Sequence, residues 1–107
     1  MAIVRLVIAS SLIAASGASG ARADALRGER FAAQWCSVCH ALKPGQTSPR
    51  PGAPRFADVA ADPSTTDASL RGFLDSTPHM AMPKLKLTPR DQDDVIAYIL
   101  SLRPARR

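Results

Sequence analysis

The chain has 107 residues, which is enough for one small domain and too few for two. Its formal net charge is +5, but the basic residues form neither a long run nor a patch interleaved with aromatic side chains. A nucleic-acid-binding protein is therefore a poor interpretation, and most of these charges are interpreted as solvating the surface.

Residues 1–23 are predicted to be a cleaved secretory signal peptide. Met1–Arg5 is a short basic start, Leu6–Ala15 is an apolar run, and Ala21–Ala23 has the A-x-A pattern of a cleavage site. A membrane anchor is the alternative, but a spanning helix needs about 20 predominantly apolar residues and this run is shorter. We expect cleavage after Ala23, a periplasmic location, no stable membrane span afterwards, and one mature domain over residues 24–107 with net charge +3.

The start of that domain is predicted to be a helix. From Asp24 to Gln34 the apolar residues recur three to five positions apart, which indicates a short amphipathic helix that leads into the two cysteines. Gly28 costs this helix about 1 kcal/mol relative to alanine, which suggests that another helix crosses closely there. The proline-rich segment from Lys43 to Pro54 is predicted to be a loop.

The middle of the chain is predicted to hold two shorter helical segments. Phe56–Ala61 has the length of one or two helical turns. Thr66 or Asp67 can cap a further helix that ends near Ser76. Thr77–Leu87 contains two prolines and is predicted to be a loop.

The last helix has the clearest pattern. Thr88 is the predicted N-cap, Pro89 suits the first helical position, and Asp91 follows three residues after the cap. Arg103 is expected in the last turn and Pro104 is expected to end the helix. Its apolar face comprises Val95, Ile96, Ile99, Leu100 and Leu102, and its first turns also carry Asp93 and Asp94. No segment alternates with a period of two, so the domain is predicted to be all-α.

Cys36-Ser37-Val38-Cys39-His40 is a C-x-x-C-H motif, the pattern of c-type haem attachment. Two thiols at this spacing can form thioethers with the two vinyl groups of one porphyrin, and the adjacent histidine can ligate its iron. The alternatives are a thioredoxin-like dithiol, which needs a βαβ pattern that the sequence lacks, a zinc site that recruits His79, and a structural disulfide closing a very small loop.

A second axial ligand is expected from the loop after the third helix. Met80 and Met82 lie there beside prolines, and a sulfur ligand opposite a histidine raises the reduction potential of a haem. We favour Met82 over Met80, and either methionine over His79. Methionine also fills gaps in apolar cores, so the residue type alone does not decide the assignment.

The mature chain resembles the class I cytochrome c family in its short bacterial periplasmic form. The resemblance rests on five features: Gly28, the Cys36–His40 motif, Pro54-Arg55-Phe56, Met82-Pro83, and the helix over residues 95–100. It implies a small all-α fold in which the N- and C-terminal helices cross, at Gly28 and Tyr98, around one covalently bound haem c. It also implies that Met82, directly before a proline, is the axial ligand, and that the carbonyl of Pro54, or alternatively Pro44, accepts a hydrogen bond from the His40 ring.

The resemblance implies that the protein transfers single electrons by cycling between Fe(III) and Fe(II), and that it is not an enzyme. The protein would be a soluble periplasmic carrier or the haem subunit of a dehydrogenase. The alternative is a gas-binding or sensor protein whose sixth ligand is weak or absent. Redox proteins with acidic surfaces are the expected partners, attracted by basic residues in the loops near the haem edge. These residues are Lys43, Arg50, Arg55, Lys84 and Lys86.

Overall fold

The computed structural model describes residues 23–76 and 87–104. Within them lie four α-helices and no strand: α1 (Ala25–Trp35), α2 (Phe56–Ala61), α3 (Asp67–Ser76) and α4 (Pro89–Ser101). The predicted all-α class is confirmed, and each helix starts within a residue of its predicted position. In this part of the chain no helix is long and apolar enough to cross a membrane. Residues 1–22, most of the predicted signal peptide, lie outside the described residues.

Local side-chain caps fix where the helices begin. The Asp24 carboxylate accepts the backbone N–H groups of Leu26 and Arg27, at 2.8 and 3.1 Å, and so caps α1. At α4 the Thr88 hydroxyl accepts the N–H of Asp91, whose carboxylate accepts the N–H of Thr88 in return. Such caps satisfy backbone donors that a helix leaves without partners in its first turn.

Helix α4 is the centre of the fold, because α1, α2 and α3 all pack against it. Its closest approach to α1 is at Gly28, where an added Cβ would overlap the backbone carbonyl of Asp94 and lie 2.9 Å from the backbone nitrogen of Val95. Gly28 therefore admits the crossing helix, as predicted. The atoms nearest to Gly28 belong to the Asp94–Val95 peptide, however, one turn before the expected Tyr98.

The core lies along the inner face of α4 and is small. Ile96 is the most deeply buried of the large side chains, with 1% of its surface exposed. The main cluster combines this helix with α1, α2 and the segment after the cysteine motif, and its members are Ala32, Cys36, Leu42, Phe56, Ala60, Val95, Tyr98 and Ile99.

The prediction that Arg103 lies in the last turn of α4 is wrong. The helix ends at Ser101 with Leu102 as its C-cap. The Arg103 guanidinium instead donates to the carbonyl of Ala60, at 3.1 Å, and to the carbonyl of Thr65. Ala60 is near the C-terminus of α2, where helix carbonyls lack intrahelical partners and attract a cation. Arg103 thus joins the end of the chain to α2.

Candidate functional site

The C-x-x-C-H motif forms a tight turn that continues α1. Cys36 is the C-cap of the helix, and its N–H donates to the carbonyl of Ala32 at 2.7 Å. The N–H groups of Cys39 and His40 both donate to the carbonyl of Cys36, at 3.2 and 2.9 Å. The position of His40 is therefore fixed by backbone hydrogen bonds to the end of a packed helix.

An apolar cavity of about 330 Å³ opens beside this turn, within the size range of cofactor and ligand sites. Cys36 and His40 both line it, whereas Cys39 is half-buried and does not. Each of the four helices contributes to the remaining walls, which are almost entirely apolar. Those further lining residues are Phe31, Pro54, Phe56, Val59, Ser69, Leu70, Phe73, Leu74, Leu87, Val95 and Ile99.

The imidazole of His40 is held by the loop that follows the motif. His40 is 9% exposed, and its Nδ1 lies 2.7 Å from the carbonyl oxygen of Pro54. A carbonyl oxygen only accepts hydrogen bonds, so Nδ1 is the donor and Nε2 is the basic nitrogen of the neutral ring. Phe56 packs against the same imidazole, with ring centroids 5.2 Å apart.

Three hydrogen bonds brace the segment over residues 41–56, which follows the motif. The N–H of Arg50 donates to the carbonyl of Cys39 at 3.2 Å, and the N–H of Phe56 donates to the carbonyl of Ala41 at 3.0 Å. From α4, the Tyr98 hydroxyl donates to the carbonyl of Leu42 at 2.6 Å. The Pro54 carbonyl is thereby part of a braced segment.

The chemistry of the two thiols does not favour a redox dithiol. Cys36 and Cys39 form no disulfide with each other, and burial raises the pKa of the Cys36 thiol to about 11. Dithiols that exchange with disulfides have lowered pKa values and accessible sulfurs. Among residues 23–76 and 87–104, no three His, Cys, Asp or Glu side chains come together as a metal site. His79, which the zinc alternative needs, lies outside the described residues.

The predicted basic residues are partly paired with acidic side chains. Lys43 lies 3.8 Å from Glu29, and Arg55 forms a 2.8 Å ion pair with Asp58. Arg50 is exposed. Lys84 and Lys86 lie outside the described residues, as do Met80 and Met82.

Sequence reasoning missed most of the cavity. Val59, Leu70 and Leu87 line it but carry no functional pattern in the sequence. Their apolar character was the available signal, and it does not distinguish a residue that contacts a cofactor from one that fills an ordinary core. The brace from Tyr98 to Leu42 was also missed, because it joins residues 56 positions apart.

Two comparisons with known proteins give one result. The family model described as Cytochrome c matches residues 25–103, which include the cysteine motif, the cavity and all four helices. The chain is 39% identical, over 92 residues, to a protein of Bradyrhizobium diazoefficiens named cytochrome c-552, and the match covers 86% of this chain and 88% of that protein. No solved structure matches the chain.

Proposed function

We propose that this chain, which belongs to the cytochrome c family, works in the periplasm. It is an electron carrier and not an enzyme, and it binds haem c covalently. It acts there as a soluble one-electron carrier or as the haem subunit of a dehydrogenase. Cys36 and Cys39 attach the haem, and His40 ligates its iron. The bound haem supplies the Fe(III)/Fe(II) couple.

The observation that carries this proposal is the meeting of Cys36 and His40 on one wall of an apolar cavity. An apolar cavity suits a porphyrin, and a thiol that can form a thioether with its vinyl group, beside an imidazole that can ligate its iron, is the arrangement that attaches a c-type haem. The hydrogen bond to the Pro54 carbonyl keeps Nδ1 protonated and so leaves Nε2 as the nitrogen that would ligate the iron. Such a hydrogen bond also makes a ligating imidazole more basic. The residues present therefore fit the cofactor.

Covalent attachment is tested on a denaturing gel stained for haem. The exported protein is expected to stain at its own mass, because thioethers survive denaturation. The Cys36→Ser, Cys39→Ser double variant is expected to show no stain, whereas Val38→Ala, which changes an exposed position within the same motif, is expected to stain fully. An unstained wild-type band would end the proposal.

We assign Met82 as the sixth ligand, because it directly precedes a proline. The test compares Met82→Ala with Met80→Ala in the oxidised protein and follows the absorption band of sulfur-to-iron coordination. Loss of the band in Met82→Ala alone is expected, and loss in Met80→Ala alone would transfer the assignment to Met80. Ready binding of carbon monoxide by the wild-type protein would instead favour the gas-binding function.

Electrostatic attraction between this chain and acidic redox partners is tested by measuring how the rate of electron exchange depends on salt concentration. The mature chain has a net charge of +3, and attraction between opposite charges weakens as salt screens it. We expect electron exchange with an acidic redox protein to slow as ionic strength rises, and exchange with a neutral one to change little. Equal salt dependence with both proteins would contradict an electrostatic role for the basic residues.

A further inference from the structure

Asp94 is a buried carboxylate at the junction of α1 and α4. It is 5% exposed, and its Oδ2 accepts a hydrogen bond from Nε of Arg27 at 3.0 Å. Its Oδ1 accepts the backbone N–H of Asp24 at 2.8 Å. A buried charge needs partners, and this one is held by α1 and by the residue directly before α1.

The backbone N–H group that donates to the Asp94 carboxylate belongs to the residue that follows the predicted cleavage site. The A-x-A pattern ends at Ala23 and the next residue is Asp24. Ala23 is exposed, whereas Asp24 is fixed by its own cap to α1 and by its N–H bond to Asp94. Cleavage of the Ala23–Asp24 peptide bond would therefore convert the Asp24 N–H, which donates to Asp94, into the terminal amine of the chain.

We propose that Asp94 is the binding site for the α-amino group that signal-peptide cleavage creates on Asp24. Water hydrolyses the Ala23–Asp24 bond, catalysed by a signal peptidase. The hydroxyl of water stays on the Ala23 carbonyl, and the amine of Asp24 takes up the remaining proton together with the one that the new carboxyl group releases. An amide hydrogen bond to Asp94 thereby becomes an ammonium–carboxylate ion pair.

The local charges favour this conversion. Before cleavage, Asp24 and Asp94 place two negative charges around one guanidinium, that of Arg27. The ammonium group supplies the second positive charge, and Arg90 acts on Asp94 from the α4 side. The positive end of the α1 dipole opposes an ammonium group at this position. The Asp94 carboxylate, which already accepts from the Asp24 nitrogen, is the group that offsets this opposition.

The direct test compares two N-termini in the exported holoprotein. One chain is wild type, and the other has Ser-Gly inserted between Ala23 and Asp24, which restores an uncharged amide at Asp24. Mass spectrometry is expected to show that the wild-type chain begins at Asp24, and another start would overturn the proposal. We expect the inserted chain to melt about 5 °C lower at pH 7, and equal melting temperatures would also overturn it.

Substitution of Asp94 shows whether the difference arises at this carboxylate. In the Asp94→Asn background the two N-termini are expected to melt at the same temperature, because the ion pair is absent from both. In the Asp93→Asn background, a matched change at a half-exposed neighbour that pairs with Arg71, the difference is expected to persist. A difference that survives Asp94→Asn would assign the effect to another group and overturn the proposal.

The pH dependence gives a second signature that needs no substitution. An opposite charge favours the ammonium form, so the pKa of the α-amino group is expected to lie about one pH unit above its ordinary value near 8. Its contribution is complete below pH 7 and is lost as pH rises through the folded-state pKa. The other charged groups at the site are the carboxylates of Asp24 and Asp94 and the guanidinium groups of Arg27 and Arg90. An unshifted amine, titrated by NMR on the wild-type holoprotein, would contradict the pairing.

This inference rests on the proposed export of the chain, but its failure is distinguishable from failure of the proposed function. A protein that stains for haem and shows the sulfur–iron band, yet gives equal melting temperatures for the two N-termini, keeps the electron-carrier function and loses the Asp94 site. A protein without haem stain loses the proposed function whatever its N-terminus.

Discussion

Tyr98 links α4 to the segment that carries His40. Its hydroxyl donates to Leu42, two residues after His40, at 2.6 Å. Its ring lies 6.4 Å from that of Phe56, which in turn lies 5.2 Å from the His40 imidazole. Tyr98 therefore contacts both the backbone that follows His40 and the aromatic ring that packs against its imidazole.

Replacing Tyr98 by phenylalanine tests this brace. The change keeps the ring and leaves the buried carbonyl of Leu42 without its donor, which costs about 1–2 kcal/mol of unfolding free energy. Urea unfolding of the holoprotein measures it. Ser64→Ala, which removes an exposed hydroxyl bonded to Asp62 at 2.7 Å, is expected to change stability by less than about 0.5 kcal/mol. Equal losses in both variants would show that the buried hydroxyl has no special role.

Asp94 should make the stability of the fold depend on pH in the acidic range. Burial opposes its ionisation, but the hydrogen bonds from Arg27 and from the Asp24 N–H, with the charges of Arg27 and Arg90, outweigh burial and lower its pKa below 3.8. A carboxylate with a lowered folded-state pKa stabilises the fold above the unfolded-state pKa. That contribution is lost as pH falls through the folded-state value.

We therefore expect Asp94→Asn to lower the unfolding free energy by about 2 kcal/mol at pH 7, because hydrogen bonds to a charged group are lost. The loss should stay constant down to about pH 5 and shrink below it. Denaturant unfolding across pH 3–7 measures the difference. Asp93→Asn, half-exposed and paired with Arg71, is expected to cost less than about 1 kcal/mol. A cost for Asp94→Asn that does not change with pH would contradict the assigned cause.

At the scale of the helices, the crossing of α1 and α4 depends on one missing side chain. Gly28→Ala gains about 1 kcal/mol of helix propensity but forces a methyl group into the Asp94 carbonyl. Because the obstacle is backbone, the helices must separate, and we expect a net loss of about 2 kcal/mol by thermal or urea unfolding.

Gly72 in α3 is the matched control. Among the described residues, no atom lies within 4 Å of a Cβ added there, so Gly72→Ala is expected to raise stability by about 0.5–1 kcal/mol. The two substitutions are chemically identical and differ in sign only through packing. Stabilisation by both would mean that α1 and α4 do not approach closely at Gly28.

The starts of the helices were predictable because they depend on neighbours in sequence. Thr88, Pro89 and Asp91 lie within four residues and determine the start of α4 without help from the rest of the chain. The role of Asp94 was not predictable in this way. Its partner Arg27 is 67 residues away, and the pattern around Asp94 indicates only an acidic residue in the first turns of a helix.

The same distinction, between features set by sequence neighbours and features set by distant residues, applies to the candidate site. The spacing of Cys36, Cys39 and His40 predicts haem attachment, because the chemistry requires those residue types at that spacing. The cavity depends on how α2 and α3 pack against α4, and no short pattern encodes that packing. Val59 and Leu70 consequently gave no functional indication until the fold placed them around His40.

At the scale of the whole molecule, the cavity is large relative to the core. A small domain buries a modest fraction of its surface, and the core cluster of the described residues contains several small side chains, among them Ala32 and Ala60. All four helices contribute apolar side chains to the cavity wall, and covering such side chains with an apolar cofactor would remove them from water, which is favourable. The haem therefore completes the core.

The protein without haem is accordingly expected to lose its cooperative fold. The Cys36→Ser, Cys39→Ser double variant should show less helix by far-ultraviolet circular dichroism and a broad thermal transition, because α1, α2, α3 and α4 all contact the same cavity. Val38→Ala changes a side chain that is 72% exposed, so it should keep the haem, the helix content and a sharp transition. A haem-free double variant with full helix content and a sharp transition would show that the four helices hold together without the cofactor, and that the small core is sufficient after all.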